Sequence, residues 1–258
     1  MLLPLNCTRH PIDVPRAVLG GRCDTVIGMT SARDLATRRE VARAFVDSSS
    51  ARVIAAFLML AVVLRAAMGG LTWGDLAAVA VVIVLLGPVE WMIHRMLLHA
   101  QPTNRLAELL GTRDSHERHH RVPDDLDWLL LRRPNAIGSC LAIVLPLGAA
   151  ALVLGSLQLV SPEVARATAA STMVAGLLAL AHYEWVHLLV HSKYRPTSRY
   201  YAHLDRNHRL HHFRNERYWL GVTVDVGDRL ARTLPVDRDA VPMSDTVRAP
   251  LAAASDAF

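Results

Sequence analysis

Long uncharged blocks of apolar residues dominate the hydrophobic pattern of this chain. The longest block, residues 136–160, runs for 25 positions without a charged side chain. Roughly 20 apolar residues in an α-helix are enough to cross the hydrocarbon core of a bilayer. Three further blocks are nearly as apolar, although they carry an occasional charge or proline: residues 53–68, 76–93 and 167–190. The pattern therefore predicts an all-α integral membrane protein with about four transmembrane helices.

An amphipathic stretch precedes the first apolar block. Within residues 31–46, Leu35, Val41, Ala42 and Phe45 fall on one face of a helix. Such a segment is typical of a helix that lies in the surface of a bilayer, with its apolar face toward the acyl chains. We therefore expect a surface helix here.

The two ends of the chain differ in composition from its middle. Residues 1–28 lack the continuous apolar region of a secretory signal. They are expected to be a disordered extension, or untranslated if Met29 is the true start. The sequence thus predicts three regions, namely an N-terminal extension with the amphipathic helix, a membrane-embedded domain with a cytoplasmic cap, and a flexible tail: residues 1–50, 51–234 and 235–258.

The distribution of arginine predicts how the chain is oriented. Eight arginines precede residue 53, seven lie between residues 95 and 133, and ten follow residue 190, whereas the other two loops hold only Arg65 and Arg166. Arginine-rich loops stay on the cytoplasmic side of a cytoplasmic or bacterial inner membrane, so both termini and the 94–135 segment are predicted to be cytoplasmic. Contact with anionic lipid explains the net charge of +5, and no nucleic-acid motif accompanies it.

Ten of the 13 histidines fall into four short boxes at the same predicted end of the bundle. The boxes are His94-x4-His99, His116-x2-His119-His120, His187-x3-His191 and His208-x2-His211-His212. One tetrahedral ion takes about four ligands, so ten imidazoles predict two metal ions with open coordination positions. Structural histidines scattered at random would not be expected to sort onto one membrane face.

The spacing within the boxes matches helical faces. Side chains three or four positions apart share a face, so each HxxHH box converges if it is helical, and the third box forms a helical clamp. The first box is different, because five positions place His94 and His99 about 140° apart on an ideal α-helix. Either the helix is distorted near Pro88, or the two imidazoles reach different sides of a dimetal centre. Two boxes thus end transmembrane helices, and two lie on helices of the cap.

Imidazole ligands suit zinc, copper, iron and nickel alike. The three cysteines are dispersed, which disfavours an iron–sulfur cluster or a disulfide framework: Cys7, Cys23 and Cys140. Ligating histidines usually donate their second N–H to a carboxylate or carbonyl. The candidate supporting residues are Glu90, Glu184, Asp125, Asn215 and Asp228, with Asp114, Glu117 and Asp205 also near the boxes.

Each of these features also has a plainer interpretation. A carboxylate inside a span is costly and indicates function, but Glu90 and Glu184 could equally be charges at helix ends. The three histidines outside the boxes are expected not to bind metal. We expect His10 to be solvated, His182 to pack between helices, and His203 to lie at the surface.

Four segments around the boxes resemble the fatty acid hydroxylase superfamily of integral-membrane enzymes, over about residues 50–233. They are EWMIHRMLLH (90–99), HERHHRVPDD (116–125), YEWVHLLVH (183–191) and HRLHHFRNERYWLGVT (208–223). The fatty acid 2-hydroxylase branch is the most similar, through the form of the first box and the Gly221-Val222-Thr223 run. Four residues depart from that branch and leave the substrate open: Trp128, Arg132, Arg133 and Gly227.

The resemblance implies that the ten boxed histidines hold two iron ions, which zinc can replace in the isolated protein, and that O2 is a co-substrate. It implies hydroxylation of a C–H bond in a long-chain lipid, with electrons from an external reductase, ferredoxin or cytochrome. A desaturase or a sterol or carotenoid oxidase of the same superfamily remains an alternative, as does a non-catalytic membrane metal-binding protein. A transporter is disfavoured because the ionisable residues gather at one face and not at the midplane.

Overall fold

Ten α-helices occupy the part of the chain that the structure describes, residues 31–247 of a computed structural model. In chain order they are α1 (Arg38–Asp47), α2 (Ser49–Ala66), α3 (Trp73–Ile93), α4 (Arg105–Leu110), α5 (Thr112–Arg121), α6 (Leu126–Leu129), α7 (Arg133–Ser156), α8 (Pro162–His191), α9 (Arg199–Phe213) and α10 (Val226–Ala231). Helix α3 continues into a π-helical turn, His94–Leu98. Within the described range β-type pairing is limited to an isolated bridge between Ser31 and Asp125, so the predicted all-α class is confirmed.

Residues 1–30 and 248–258 lie outside the described range. They include most of the predicted N-terminal extension, with His10 and the possible start at Met29, and the end of the predicted tail. The expectations for these segments therefore stay predictions.

Four of the helices, α2, α3, α7 and α8, are long and apolar enough to cross a membrane. Helix α8 lies at the centre of this bundle, since it packs against each of the other three and is the most buried of the four. Large apolar side chains on the outer faces stay exposed, as at Met59, Ile83 and Leu145. An outward apolar surface of this kind suits lipid as the surrounding solvent. The predicted number of candidate membrane helices is confirmed.

A buried ion pair joins three of these helices at the end of the bundle opposite to the histidines. The Arg65 guanidinium on α2 donates to both carboxylate oxygens of Asp75 on α3, at 2.6 Å each. Asp75 also accepts a hydrogen bond from Ser171 on α8. The arginine that interrupts the first apolar block is thus neutralised inside the bundle, where an unpaired charge would be very costly.

The amphipathic stretch predicted over residues 31–46 becomes α-helical only from Arg38. Thr37 accepts a hydrogen bond from the Glu40 amide, and the Glu40 carboxylate accepts one from the Thr37 amide. This capping box fixes the start of α1. The preceding residues form a 3-10 turn at Ala32–Asp34.

The apolar face of α1 is covered by protein. Val41 and Ala44 are buried in a cluster with Leu129 of α6 and Leu188 of α8, and Phe45 lies edge-on to Trp185, with 5.7 Å between ring centroids. The expectation that this face lies against the bilayer is therefore wrong. An apolar helix face can be covered by lipid or by another helix, and its own sequence does not distinguish the two.

The beginning of the predicted flexible tail packs against the segment that follows α9. The Arg214 guanidinium donates to the carbonyl of Val241 at 2.7 Å, and the Asn215 amide donates to the carbonyl of Pro242 at 3.0 Å. Val241 itself is buried. These contacts hold this part of the tail against the segment after α9, and the backbone carbonyls that accept them carry no sequence signal.

Short helices close the histidine end of the bundle, and we call α4, α5, α6, α9 and α10 together the cap. Helix α10 lies directly against α3, because Gly87 and Gly227 face each other without side chains. Trp128 in α6, a departure from the 2-hydroxylase pattern, has the guanidinium groups of Arg118 and Arg132 over its ring, 4.8 and 5.6 Å from the ring centroid.

Candidate metal centre

The ten boxed histidines form two groups of five at this end of the bundle. In each group one ring nitrogen from every histidine lies within 4.8 Å of all the others. The first group is His94, His99, His116, His120 and His211, and the second is His119, His187, His191, His208 and His212. Seven of the ten rings are buried and the other three are partly buried. The four boxes, predicted to meet at one membrane face, thus meet in two compact sites.

The distances between neighbouring nitrogens test whether an ion fits each group. Neighbouring Nε2 atoms are 3.0–3.2 Å apart in the first group and 2.9–3.2 Å apart in the second. Two imidazole nitrogens bound to one ion at about 2.1 Å lie roughly 3.0 Å apart at a right angle and roughly 3.4 Å apart in a tetrahedron. Each donor set therefore fits one ion with five or six ligands better than a tetrahedral ion.

Each HxxHH box is divided between the two groups. On α5, His116 and His120 belong to the first group and His119 to the second, while on α9 the middle histidine, His211, belongs to the first group. The helical repeat explains the division, because residues four apart differ by only about 40° around the axis, whereas the middle residue is turned by about 60° to the other side. The predicted convergence of each HxxHH box is confirmed for its first and last histidines and not for all three.

The π-helical turn brings the two histidines of the first box together. The His99 amide donates to the His94 carbonyl at 2.9 Å, which is the five-residue hydrogen bond of a π-helix. His99 is thereby placed above His94 on one face, and both rings belong to the first group. Of the two explanations left open by the sequence, the distorted helix is correct, although the distortion begins at His94 and not at Pro88.

A loop between α9 and α10 orients two histidines of the first group. The carbonyl of Leu220 lies 2.5 Å from Nδ1 of His94, and the carbonyl of Tyr218 lies 2.9 Å from Nδ1 of His211. A carbonyl can only accept, so each ring carries its proton on Nδ1 and directs the Nε2 lone pair into the group. We call residues 218–223 the carbonyl loop.

Two carboxylates predicted as supporting residues accept hydrogen bonds from this carbonyl loop. Glu90 of α3 accepts hydrogen bonds from the amides of Val222 and Thr223 and from the Thr223 hydroxyl. Asp228 of α10 accepts from the amides of Leu220 and Gly221, at 3.0 and 2.6 Å. Among the hydrogen bonds of residues 31–247, none joins either carboxylate to a boxed histidine, so the connection of both to the first group runs through the loop.

The backbone of the carbonyl loop is strained at Trp219. Its φ of +53° lies in the left-handed region, which is unfavourable for a bulky side chain. The indole is almost completely buried, and the Trp219 amide donates to the Thr233 carbonyl at 3.0 Å. Local strain of this kind persists only where the surroundings enforce it.

The other predicted supporting residues have different partners. Glu184 accepts from the amide of Leu131 at 3.0 Å, Asp125 accepts from the amide of Asp127 at 2.9 Å and caps α6, and Asn215 holds the tail described above. Among the hydrogen bonds of residues 31–247, none joins these three side chains to a boxed histidine. Of the remaining candidates, Glu117 pairs with Arg121 and Arg113, and Asp205 lies 3.7 Å from Arg195.

The second group lacks a counterpart of the carbonyl loop for three of its rings. The Nδ1 atoms of His119, His208 and His212 are buried without a hydrogen-bond partner among the described residues. Their Nε2 atoms nevertheless converge like those of the first group. The two groups therefore have similar donor sets and different support.

Burial lowers the pKa of every boxed histidine outside the membrane-spanning helices, and the neighbouring histidines lower it further. These histidines are His99, His116, His119, His120, His208, His211 and His212. For His99 the pKa falls to about 2. Neutral imidazole is the form that binds a metal ion, so these rings are available as ligands at neutral pH.

The histidines outside the boxes do not join either group within residues 31–247. Nε2 of His203 lies 3.2 Å from Asp225 and 3.1 Å from Asn207, and Nε2 of His182 lies 3.5 Å from the Tyr200 hydroxyl. Cys140 is buried in the apolar core of the bundle with Ile54 and Leu177, away from both groups.

Residues 79–233 match the model of a protein family described as fatty acid hydroxylase. Two curated proteins named fatty acid 2-hydroxylase are similar to the chain. The protein from Macaca fascicularis is 29% identical over 151 residues, or 57% of this chain, and the one from Homo sapiens is 28% identical over 155 residues, or 58% of this chain. The matched region spans only 36–37% of those relatives. No solved structure matches the chain.

Proposed function

Because the chain belongs to the fatty acid hydroxylase family, we propose that it is an O2-dependent membrane oxidoreductase that hydroxylates a C–H bond of a long-chain lipid. The observation that carries this proposal is the pair of five-histidine groups at the end of an apolar helical bundle. Two adjacent redox-active ions are suited to the oxidation of an unreactive hydrocarbon, which ordinary acid–base side chains cannot accomplish.

We assign the ten boxed histidines as the ligands of two iron ions. Imidazole alone does not select the metal, but the nitrogen spacing near 3 Å favours five or six ligands, whereas structural zinc sites are almost always tetrahedral. Zinc is redox-inert, so a zinc-loaded preparation would be inactive. When bound, the two ions would supply the activation of O2 and the oxidation of the C–H bond.

Residues of this chain orient the proposed metal ligands and shield them from water. The carbonyl loop fixes the tautomers of His94 and His211, so their Nε2 lone pairs point into the first group. Burial of most of the rings limits the access of bulk water to the two groups. Exclusion of water prevents side reactions of a reactive oxidant.

The membrane supplies the substrate in this proposal. Both histidine groups lie where α3 and α8 leave the apolar part of the bundle, so a lipid tail can remain among the helices while the reacting carbon lies at the ions. The arginine-rich end of the bundle is the same end, which favours a cytoplasmic position for the active site and for both termini.

Electrons must come from a separate carrier, a reductase, ferredoxin or cytochrome. Arginine side chains are exposed over the cap, for example on α5 and α9. A positively charged face steers an acidic partner toward the site and makes the rate of association depend on salt.

Product analysis tests the proposal. The iron-loaded protein in detergent, supplied with a reductase system, long-chain lipids and 18O2, should yield a lipid alcohol that carries one labelled oxygen. An alkene without alcohol would identify a desaturase, and an oxidised sterol or carotenoid would identify the corresponding oxidase. A protein that binds two ions but consumes no O2 with any lipid class would instead be a non-catalytic metal-binding protein.

A further inference from the structure

A cavity of about 300 Å³ opens beside the second histidine group, between the end of α8, α9 and the segments around Arg33 and Asp124. Three of the five histidines of that group line it: His191, His208 and His212. A ligand in this cavity would therefore lie next to the rings that we assign to one of the two ions.

The cavity is strongly basic. Four cationic side chains line it, Arg33, Lys193, Arg195 and Arg209, against the single carboxylate of Asp124. Asp124 lies 3.6 Å from Arg33 and also accepts a hydrogen bond from the Ser31 hydroxyl. The walls thus carry an excess of three positive charges, which a concave surface of low dielectric focuses into the cavity.

Two of the four cations have no acidic partner in the described part of the chain. Arg195 lies 3.7 Å from Asp205 and Arg33 is paired as above, whereas within residues 31–247 no carboxylate lies within 4.0 Å of the side-chain nitrogens of Lys193 or Arg209. Their charges are available to a ligand from outside. The chemistry that they would recognise is an oxyanion, which a guanidinium can bind in bidentate fashion.

The general bias of cytoplasmic loops toward arginine explains the sign of these charges but not their position. Charges that serve only to orient a membrane protein are expected on open surfaces. Here they surround a concave site whose volume is at the lower end of the range for small-molecule pockets. A head group fits such a volume, whereas a folded electron carrier would contact its rim alone.

We propose that this cavity binds the anionic head group, a carboxylate or a phosphate, of the amphiphilic substrate, with Lys193 and Arg209 as the principal contacts. The identification of this amphiphile as the substrate rests on the proposed function, whereas the anion site itself does not. Since the cavity reaches the second histidine group, the carbons that follow the head group would lie nearest to the ions. Oxidation would then fall near the head group and not at the far end of the chain.

Binding measurements test the anion site without turnover. Metal-loaded protein in neutral detergent, without reductant, would be titrated with octadecanoate, octadecyl phosphate and methyl octadecanoate, which share a chain length and differ in head-group charge. The wild type should bind at least one of the two anions more tightly than the neutral ester. The double variant Lys193→Gln/Arg209→Gln should bind that anion roughly tenfold or more weakly, since hydrogen bonds to charged groups are about twice as strong as neutral ones, and should bind the ester unchanged.

Matched variants separate charge from other effects. Arg39→Gln removes an exposed cation of α1 that does not line the cavity, and should leave all three affinities unchanged. Arg209→Lys keeps the charge and should retain much of the affinity for the anion. Since two of the altered residues neighbour boxed histidines, metal content is measured for every variant. If the double variant loses metal, Arg33→Gln/Arg195→Gln, which lies further from the boxes, should show a selective loss for the anion that is smaller, because both arginines already have acidic partners.

The relative loss for octadecanoate and octadecyl phosphate identifies which anion the cavity takes. Unchanged binding of both anions, or an equal loss for the ester, would overturn the proposal. A slower reduction by the electron carrier with unchanged anion affinity would also overturn it, because the basic residues would then serve a protein partner. A wild-type protein that binds the anion but forms no oxidised product would contradict the proposed function and leave the anion site standing.

Discussion

Removal of the Glu90 carboxylate should empty one of the two histidine groups and spare the other. Glu90 is buried on α3 and accepts three hydrogen bonds from Val222 and Thr223 of the carbonyl loop. Within the described residues, the hydrogen bonds of the loop to boxed histidines reach two members of the first group, His94 and His211. Glu90→Ala should therefore release the loop and lower the bound iron from two ions per chain toward one.

The magnitude follows from the contacts. Each buried donor without a partner costs about 1–3 kcal/mol, so three donors should cost roughly 3–6 kcal/mol of folding free energy once the loop relaxes. Loss of the groups that orient a ligating histidine typically weakens metal binding by roughly 10–100-fold. The Glu90→Gln variant keeps the size of the side chain and one acceptor oxygen, and should give a smaller loss of both quantities.

The assay combines metal content with competition by a chelator and with thermal unfolding in one detergent. Glu163→Gln, which alters an exposed carboxylate at the start of α8, is the matched control and should behave as the wild type. If Glu90→Ala kept two ions with wild-type affinity, the carbonyl loop would not support the first group. Equal loss of both ions would mean that Glu90 stabilises the whole end of the bundle instead.

The remaining predictions concern the ligands, the helix contact, acid stability and orientation. His119→Ala and His211→Ala should each lower bound metal and abolish turnover, with the ion lost from the second and the first group respectively, and full metal content in both would contradict the ligand assignment. Gly227→Ala places a Cβ too close to the carbonyl oxygen of Gly87, so the substitution should lower the free energy of unfolding by about 1–3 kcal/mol. Gly138→Ala, whose added Cβ meets open space, is the control and should leave the free energy of unfolding unchanged. The metal-free protein should lose stability as pH falls below about 6.5, because burial lowers the histidine pKa values and the unfolded chain then binds more protons than the native state; an unfolding midpoint that is equal at pH 8 and pH 5.5 would contradict this. A reporter fused after Phe258 should be cytoplasmic, and an external signal would refute the proposed orientation.

The membrane helices and the position of the histidine boxes could be predicted because both depend on local pattern. Apolar blocks such as residues 136–160 are long enough to span, and helical spacing places side chains such as His187 and His191 on one face. The division of the boxes between two groups was not predicted. It depends on how α5 and α9 face each other, which is a property of packing and not of either segment alone.

The supporting contacts were only partly predictable for a related reason. Glu90 and Asp228 stand out in the sequence, since carboxylates near the boxes and the membrane need partners. Their partners are backbone amides, and the acceptors for His94 and His211 are backbone carbonyls, so no side-chain type marks Leu220 or Tyr218. No sequence signal predicts the strained φ at Trp219 either.

The apolar pattern of a segment also does not predict which surface covers its apolar face. The face of α1 with Val41 and Phe45 was expected against lipid and lies against α6 and α8. The polar tail was expected to be flexible, yet Val241 is buried and its carbonyl accepts from Arg214. In both cases the segment has the predicted composition, and the partner lies far away in the chain.

Because of the π-helical turn at His94–Leu98, the number of residues between the two histidines of the first box does not by itself determine whether they share a face. A five-residue spacing in a π-turn and a four-residue spacing in an α-helix direct two imidazoles to the same side. Deletion of one residue between His94 and His99 could therefore be absorbed by a change of helix type, with both ligands retained. In an alignment, a one-residue gap inside this box need not mark a lost site, whereas an equal gap inside the HxxHH box of α5 or α9 would turn one histidine by about 100° around the helix axis, away from its group.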